Sequence, residues 1–379
     1  MIQPNKILCM LGGGQLGRFF VMSAHRMGYK VAVLDPDKNS PAGRIADIHY
    51  CAQYDDIEIL EKITKECDAA TTEFENIPAQ TLEFLEKKIP VYPKSKSVFI
   101  VQNRIREKTF LYENSFPVGP FKIINSDDDL VDIDHKLFPA ILKTAQFGYD
   151  GKGQVLVESL ALLEKAFIQL GRKECILEKK IELDYELSVI LARDKNGQTA
   201  TFPVAENRHV NGILDLTIAP ARTAEGIQDN AKALAKQIAT KLDYVGVMAV
   251  EFFVRGNEIY VNEIAPRPHN SGHYSLDSCF NSQFDMQVHV LTDSGLPSTI
   301  NHSQAVMINL LGDSWLLPKP HEPQWQGLFN QQEPPLNIKL HLYGKEEPRL
   351  GRKMGHITLL GEKITEENLT KLEEIKKKL

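Results

Sequence analysis

Val261-Asn262-Glu263-Ile264-Ala265-Pro266-Arg267-Pro268-His269-Asn270-Ser271-Gly272-His273 starts as an apolar strand. Within a dozen residues it delivers an acid, an arginine, two histidines and an asparagine. Upstream, Val247 to Val254 reads as a second strand with Glu251 inside an otherwise apolar run. Arg255-Gly256-Asn257-Glu258 has turn chemistry, so the two strands form a hairpin. A loop of roughly two or three residues sets Glu251 opposite Asn262 or Glu263. Two carboxylates and an amide then share one end of the hairpin. Buried like charges are costly without a cation between them, and oxygen-only ligands suit Mg²⁺ bridging to phosphate. A cross-strand acid on a solvated face is the plainer alternative. Ala249, Val250, Phe252 and Phe253 around Glu251 argue against it.

A chain of 379 residues has room for roughly two or three domains with substantial cores. Its 42% hydrophobic and 25% charged content fits a soluble globular protein. A net charge of −6 and a pI of about 6.0 suggest no general nucleic-acid or membrane surface, so cations for an anionic substrate must be local. Cys9, Cys51, Cys67, Cys175 and Cys279 are scattered, odd in number and free of CxxC spacing. That usage predicts a reduced, cytoplasmic protein without a thiol metal site. The run Ile7 to Leu11 is too short for a signal peptide, and no stretch approaches the ~18 apolar residues of a membrane span.

Near the N-terminus, a strand at Lys6 to Leu11 leads into Gly12-Gly13-Gly14-Gln15-Leu16-Gly17, a helical pattern to Met27, and a strand Lys30 to Leu34 ending in Asp35. Taken alone, this G-x-G-x-x-G with a following acid predicts a dinucleotide site, although a glycine loop before a helix accepts any phosphate or simply permits tight packing. Alternation continues through a helix at Asp56 to Glu66, a strand at Asp68 to Thr72, a helix at Pro78 to Lys88 and a strand at Val91-Tyr92, giving an open parallel α/β domain. Glu73 and Asn76 follow a strand's carboxyl end, where such sheets bind ligands, and are candidates for substrate contact. An equally good reading is a polar loop with Asn76 as a helix cap.

Ser95 or Ser97 is positioned to cap a helix carrying Arg104, Arg106 and Lys108. Beyond Phe116-Pro117-Val118-Gly119-Pro120 the texture changes to short strands. Lys143 ends the strand Phe138 to Lys143, and Phe147-Gly148-Tyr149-Asp150-Gly151-Lys152-Gly153-Gln154 precedes the strand Val155 to Val157. Three glycines in that loop suit amide donation to phosphates, whereas a simple mobile hairpin is the alternative. A helix at Leu160 to Leu170 leads to the apolar strand Cys175 to Glu178, with Lys179, Lys180, Ile181 and Glu182 after it. Glu186 lies in a strand Tyr185 to Arg193, His209 in a loop, and Ala231 to Leu242 forms an amphipathic helix. The segment around Glu178 is a plausible nucleobase hinge, with Glu186 near a ribose.

In that order, Lys143, the Gly148–Gln154 loop, Glu178, Glu186, Glu251, Asn262 and Glu263 resemble the ATP-grasp superfamily. Within it, four stretches are similar to the 5-(carboxyamino)imidazole ribonucleotide synthase family of purine biosynthesis. They are Gly12 to Arg18, Tyr149 to Gln154, Asn262 to His273, and Gly351-Arg352-Lys353-Met354-Gly355-His356. The resemblance spans nearly the whole chain. It implies an α/β and α+β architecture: an ATP-grasp fold preceded by an open parallel, Rossmann-like N-terminal domain. The N-terminal domain falls at about 1–100 and the ATP-grasp domain at about 101–300, with a small lid at about 115–182. A C-terminal domain at about 301–379 completes the substrate site.

The resemblance further implies that Arg104, Lys143, Gly148, Tyr149, Asp150, Gly151, Lys152, Gly153, Gln154, Glu178, Lys179, Lys180, Ile181, Glu186 and His209 contact ATP. Glu251 and Glu263 hold Mg²⁺, with Asn262 and Glu263 close to the phosphates. Ala265 stands where many members of the superfamily carry a third, Asn ligand. The glycine turn then serves the ribonucleotide rather than a nicotinamide cofactor. The implied reaction carboxylates 5-aminoimidazole ribonucleotide with bicarbonate through carboxyphosphate. Arg267, His269, Asp150 and Lys345 are the catalytic candidates. Gln15, Glu73, Asn76, Tyr149, Asn270, Lys345, Arg352 and Lys353 are the substrate-binding ones; Gly351 and Gly355 around the basic pair suggest an anion site. The terminal run Glu373 to Lys378 reads as solvated helix. A homodimer and a separate carboxyl-migrating mutase are also implied, with no nucleic-acid or membrane partner.

Rival readings are a formate-dependent glycinamide ribonucleotide formyltransferase or a biotin carboxylase, which lack the Arg352–His356 ending. A nicotinamide-dependent dehydrogenase, resting on Gly12–Gly17 and Asp35, and a non-catalytic nucleotide binder are more distant.

Overall fold

The computed structural model describes residues 1–146, 148, 152–329 and 337–379. Tyr149, Asp150 and Gly151, all expected at the site, lie outside the described residues.

The N-terminal part alternates β1 (Ile7–Leu11), α1 (Gln15–Arg26), β2 (Lys30–Leu34), β3 (Ile48–Tyr50), α2 (Ile57–Glu66), β4 (Ala69–Thr72) and α3 (Ala79–Glu86). The strands form a parallel sheet in the order β3-β2-β1-β4. Leu8, Cys9, Met10 and Leu11 are fully buried, as expected where both faces of a parallel sheet are covered. Val91 adds only a single bridge to Ala70.

The helix expected to run from Ser95 through Lys108 is broken in two. α4 covers Ser95–Val101 and α5 covers Arg104–Glu113. Asn103 supplies the new start, its Oδ1 accepting from Ile105 N at 2.9 Å and Arg106 N at 3.1 Å. An asparagine side chain offers the backbone an alternative to continuing the helix, and it wins here. Neither serine caps: Ser97 Oγ donates to Leu242 O at 3.1 Å, and Ser95 Oγ to Glu86 Oε2 at 3.0 Å. Arg104, Glu107 and Lys108 thereby share one helix face.

A four-stranded antiparallel sheet follows, built from β5 (Phe121–Ile124), β6 (Ala140–Thr144), β7 (Gln154–Val157) and β8 (Cys175–Lys179) in the order β5-β8-β6-β7, with α6 (Leu160–Gln169) packed on it. The main sheet contains β9 (Tyr185–Arg193), β10 (Thr199–Thr201), β11 (Ala205–Val210) and β12 (Ile213–Ala219), then α7 (Glu225–Lys241) in sequence. It continues with β13 (Gly246–Arg255), β14 (Glu258–Ala265), β15 (Gln304–Leu311), β16 (Asn337–Leu342) and β17 (Lys353–Gly361). Their order is β14-β13-β9-β11-β12-β15-β17-β16, with β10 beside β9. The C-terminal strands therefore prolong the same sheet, through the β12–β15 pairing of Leu216 with Ile308 and Ala219 with Ala305.

One face of this sheet packs Leu187, Val189, Val250 and Phe252 against Ala231, Ala235 and Ile238 of α7. The other face packs Ile190, Val247 and Ala249 against Met286 and Val290 of the helix Gln283–Thr292. Further along the same strands this second face becomes polar. Glu251 stands level with Ser188 on β9 and Glu263 on β14, and Asn207 stands level with Glu186 and Thr217.

The last helix, Glu366–Lys378, is not the free surface expected of Glu373 to Lys378. Leu372 is fully buried, Lys376 Nζ lies 2.6 Å from Asp215, and Glu373 lies 2.6 Å from Arg208. The charge alternation in this stretch includes a docking face as well as a solvated one.

Candidate active site

The β13–β14 hairpin has the two-residue turn Gly256-Asn257 and pairs Glu251 with Glu263. Between Glu251 and Phe252 the register slips, because Val261 already pairs with Phe252 and Asn262 is left over. Such a bulge re-aims side chains. Asn262 Nδ2 reaches Glu251 Oε2 at 3.4 Å, and the next residue, Glu263, meets Arg104 Nη1 at 2.7 Å. Both candidates for the position opposite Glu251 are thus used.

Each carboxylate has its own partner. Burial acts to raise the Glu251 pKa, but His269 Nε2, 3.0 Å away, holds it down to about 2, so the group is ionised. Arg104 also donates to the Gly148 carbonyl at 3.3 Å, tying Glu263 to the glycine loop. Lys108, 4% exposed, lies 2.9 Å from Glu178 Oε1 and donates to the Asn262 carbonyl at 3.1 Å. Lys143 holds the second oxygen of Glu178. Burial opposes ionisation of Glu178, yet the two lysines bring its pKa to about 2. Glu107 accepts from Ile264 N, and burial followed by the charge of Glu263 pushes its pKa up to about 8. Glu107 and Lys108 brace β14 and were not anticipated as site residues. The available signal was their spacing from Arg104, three and four residues along a helix.

Glu186 Oε2 is 2.7 Å from His209 Nδ1. His209 is not in a loop: it lies in β11 at a second bulge, between Arg208 and His209. Burial lowers its pKa, but Glu186 and then Glu251 raise it further, so the net direction is upward. Arg267 grips Glu75 with Nε at 2.6 Å and Nη2 at 3.3 Å and donates from Nη1 to the Pro268 carbonyl at 3.2 Å. Asn270 is 5% exposed, and its amide is paired at both ends with Asn309, at 3.1 and 2.7 Å. Beside the substrate contact expected of it, it braces β15.

At the β1–α1 turn, the amides of Gly14 and Gly17 donate to the two oxygens of Glu73, the second at 2.6 Å, and Gly13 N donates to Asp35 Oδ2 at 2.7 Å. A carboxylate of the protein itself occupies the place where a dinucleotide turn would take a diphosphate. The glycines are demanded by this approach: a Cβ on Gly14 would lie 2.5 Å from Glu73 Oε1, and Gly12 has φ +110°. Burial raises the Glu73 pKa against the pull of the two amides. Beside the turn, Lys345 Nζ donates to Gln15 Oε1 at 2.5 Å and to the Lys353 carbonyl at 2.6 Å, so the C-terminal basic segment abuts the start of α1. Arg352 donates to the Glu347 carbonyl at 2.6 Å. Asn76 is half-buried in the turn after β4.

The donor set fits magnesium. Glu251, Glu263 and Glu186 supply hard oxygen atoms, and Glu186, His209 and Glu251 each place a ligand-type atom within 4.8 Å of the others. A second such group among the described residues, Asp277, His341 and His356, is imidazole-rich and packs against Phe19. With two imidazoles and a single carboxylate it is not the oxygen-only set magnesium prefers.

Residues 5–102 match the ribonucleotide synthetase preATP-grasp domain family, 109–284 the ATP-grasp domain family, and 305–369 the phosphoribosylaminoimidazole carboxylase C-terminal domain family. The N5-carboxyaminoimidazole ribonucleotide synthase of Bacillus subtilis (strain 168) is 42% identical over 364 residues, which is 95% of this chain and 93% of that one. An ADP complex of an N5-carboxyaminoimidazole ribonucleotide synthetase superposes with a TM-score of 0.91 at 41% identity, covering 99% of this chain and 97% of the other. The Aspergillus clavatus synthase in complex with ADP and 5-aminoimidazole ribonucleotide gives 0.88 at 30% identity, with 99% of both chains covered. The fold is an ATP-grasp fold preceded by a preATP-grasp domain, as the motifs implied. With this identity over nearly its whole length, the chain belongs to the N5-carboxyaminoimidazole ribonucleotide synthase family of ATP-grasp ligases.

Proposed function

We infer that this chain carboxylates the amino group of 5-aminoimidazole ribonucleotide with bicarbonate, at the expense of ATP, giving 5-carboxyaminoimidazole ribonucleotide, ADP and phosphate for purine biosynthesis. The observation that carries this reading is the Glu251–Glu263 pair on one hairpin, approached by Arg104 and Lys108 from α5. Lys143 of the smaller sheet reaches the same cluster through Glu178.

Bicarbonate is a poor electrophile and the ring amine a poor nucleophile, so activation needs phosphorylation. A bicarbonate oxygen attacks the γ-phosphorus, the bond to the β-phosphate oxygen breaks, and carboxyphosphate and ADP result. Glu251 and Glu263 hold magnesium, which when bound offsets charge on the transferring phosphoryl group. Lys143, Arg104, Asn262 and the amides of Gly148 to Gln154 line the phosphates; Glu178 to Ile181, Glu186 and His209 line the nucleoside. Closure of the small sheet (domain 115–182 within 101–300) over the site excludes water from labile carboxyphosphate. The intermediate splits to CO₂ and phosphate, and the amine takes the CO₂ as it loses a proton.

Arg267, clamped by Glu75, keeps N–H groups to offer bicarbonate or phosphate. His269 positions the amine side of the site, and Tyr149 and Asp150 touch the ribonucleotide ring. Between domains 1–100 and 301–379, Gln15, Lys345, Arg352 and Lys353 take its phosphomonoester, with Glu73, Asn76 and Asn270 framing that side. The chain works as a cytoplasmic homodimer and passes its product to a separate mutase.

The test is transfer of labelled carbon from bicarbonate to 5-aminoimidazole ribonucleotide in the presence of ATP and Mg²⁺. Labelled product is expected, with ADP release requiring both bicarbonate and the ribonucleotide. Absence of label under conditions where ATP binds overturns the reading.

A further inference from the structure

The last two strands of the main sheet each bring a histidine to one register position. His341 of β16 pairs directly with His356 of β17, and the two rings stack with centroids 4.6 Å apart and planes at 18°. Asp277, from the short helix Ser275–Ser278, reaches the same place, its Oδ2 lying 2.9 Å from His341 Nε2. One ligand-type atom of each of the three residues lies within 4.8 Å of the others. Phe19 of α1 packs edge-on against His341, with centroids 5.8 Å apart.

The state of each ring nitrogen decides what this group can hold. His356 has no exposed surface, and its Nδ1 lies 2.9 Å from the Tyr343 hydroxyl. Its Nε2 has no hydrogen-bond partner among the described residues, and a buried nitrogen left so is costly. With Nδ1–H given to the Tyr343 oxygen, Nε2 keeps a lone pair for a cation, as outer partners arrange for metal-bound imidazoles. Burial, then His273 and His341, lower the His356 pKa, so the ring is neutral, as a ligand must be. His273 stands beside it with centroids 5.0 Å apart, but the Gln283 amide donates to its Nδ1 at 3.1 Å. The His273 proton is therefore on Nε2, which excludes that ring as a ligand.

We propose that Asp277, His341 and His356 form a second cation site, which takes a zinc-class divalent ion and clips the Ser275–Ser278 helix to the β16–β17 pair. Two imidazoles and a carboxylate suit such an ion, with a water completing the tetrahedron. Bonds of about 2.0–2.2 Å set tetrahedral ligand atoms roughly 3.3–3.6 Å apart. That spacing falls between the 2.9 Å contact and the 4.8 Å span of the group. His341 has to tilt off the stack to close on the ion. Its strand is the sheet edge and its side chain is 23% exposed, which permits the tilt and gives the ion a way in. The bound ion holds the base of the segment 343–352 that joins the two strands.

The experiment strips the full chain of metal by chelation and dialysis, then adds Zn²⁺ alone and counts bound zinc by equilibrium dialysis. Glu186, His209 and Glu251 form the other group able to take zinc, so Glu251→Gln serves as the control. Wild type and Glu251→Gln are both expected to hold one equivalent that His341→Ala binds more than about a hundredfold less tightly, beyond the loss for an outer partner. That zinc should raise the melting temperature of the first two and not of His341→Ala. Asp277→Asn keeps the ring stack and the side-chain shape, and should lose the same equivalent. Tyr343→Phe should weaken zinc binding about ten- to a hundredfold, because it frees the His356 ring. Anomalous scattering at the zinc edge should place the ion about 2.0–2.2 Å from the three ligand atoms. Zinc retained at full affinity by both His341→Ala and Asp277→Asn, or lost only with Glu251→Gln, overturns the proposal.

Discussion

Glu75→Gln tests how the N-terminal sheet is coupled to the proline-stiffened segment around Arg267. Both Glu75 oxygens are held by Arg267, and this pairing outweighs the burial that acts to raise the carboxyl pKa, taking it from 4.5 to about 2. At about 1.4 kcal/mol per tenfold in proton affinity this is worth roughly 3 kcal/mol, or roughly 2 after allowing for solvent screening at a side chain 23% exposed. The folded pKa lies below the unfolded one, so this stability is fully present above about pH 4.5 and is lost as the pH falls toward 2. Glu75→Gln should therefore cost about 2–4 kcal/mol at pH 7, the upper part reflecting a buried guanidinium left without its charge partner. The cost should shrink to roughly half near pH 3, because the wild type is by then losing the same term. Paired unfolding curves of wild type and variant across that range measure it. A loss below about 0.5 kcal/mol at pH 7, or one that does not decline with acid, would refute the electrostatic account of this contact.

Glu263→Gln should lower turnover by about a hundredfold or more while leaving the ribonucleotide dissociation constant within about twofold, as calorimetric binding beside initial rates will measure. Equal loss of both would mean the metal has been misplaced. Lys108→Met leaves Glu178 with Lys143 alone and the Asn262 carbonyl unpaired, and should cost about 3–5 kcal/mol in denaturant unfolding; a cost under about 1 kcal/mol would remove Lys108 from the cluster that braces the site. Gly14→Ala drives a methyl into Glu73 Oε1 and should cost about 1–3 kcal/mol. The penalty should be much smaller in a Glu73→Ala background, and strict additivity in the double-mutant cycle would show that Glu73 does not fill the turn.

Most of the frame was legible because its signals are local. Alternating apolar runs gave β1, β2 and β4 with their helices, and the Arg255–Glu258 turn gave the hairpin that opposes Glu251 to Glu263. The choice between Asn262 and Glu263 could not be made from spacing, since a single leftover residue shifts every side chain after it. The α4–α5 break was missed for a related reason. Asn103 caps about as well as a serine does, so its identity alone does not choose it over Ser95 or Ser97; whether a capping residue interrupts a helix depends on what that helix must reach, here the β14 strand.

Occupancy is the harder matter. Gly12 to Gly17 has the same letters whether its amides take a diphosphate or a carboxylate, and the carboxylate that takes them comes from Glu73, three strands and two helices away in the chain. Arg267 and Asn270 raise the same problem. Each carries the chemistry to bind a small anion or a sugar, and each is engaged by a distant residue, Glu75 or Asn309. A motif therefore specifies a donor set, and the tertiary partner decides how much of that set is left for a ligand. For Arg267 the guanidinium has N–H groups to spare after Glu75 and the Pro268 carbonyl are satisfied, while the Asn270 amide spends one N–H and one lone pair on Asn309. The two residues of one segment are thus engaged differently, Arg267 by the carboxylate of Glu75 after β4 and Asn270 by the amide of Asn309 on β15.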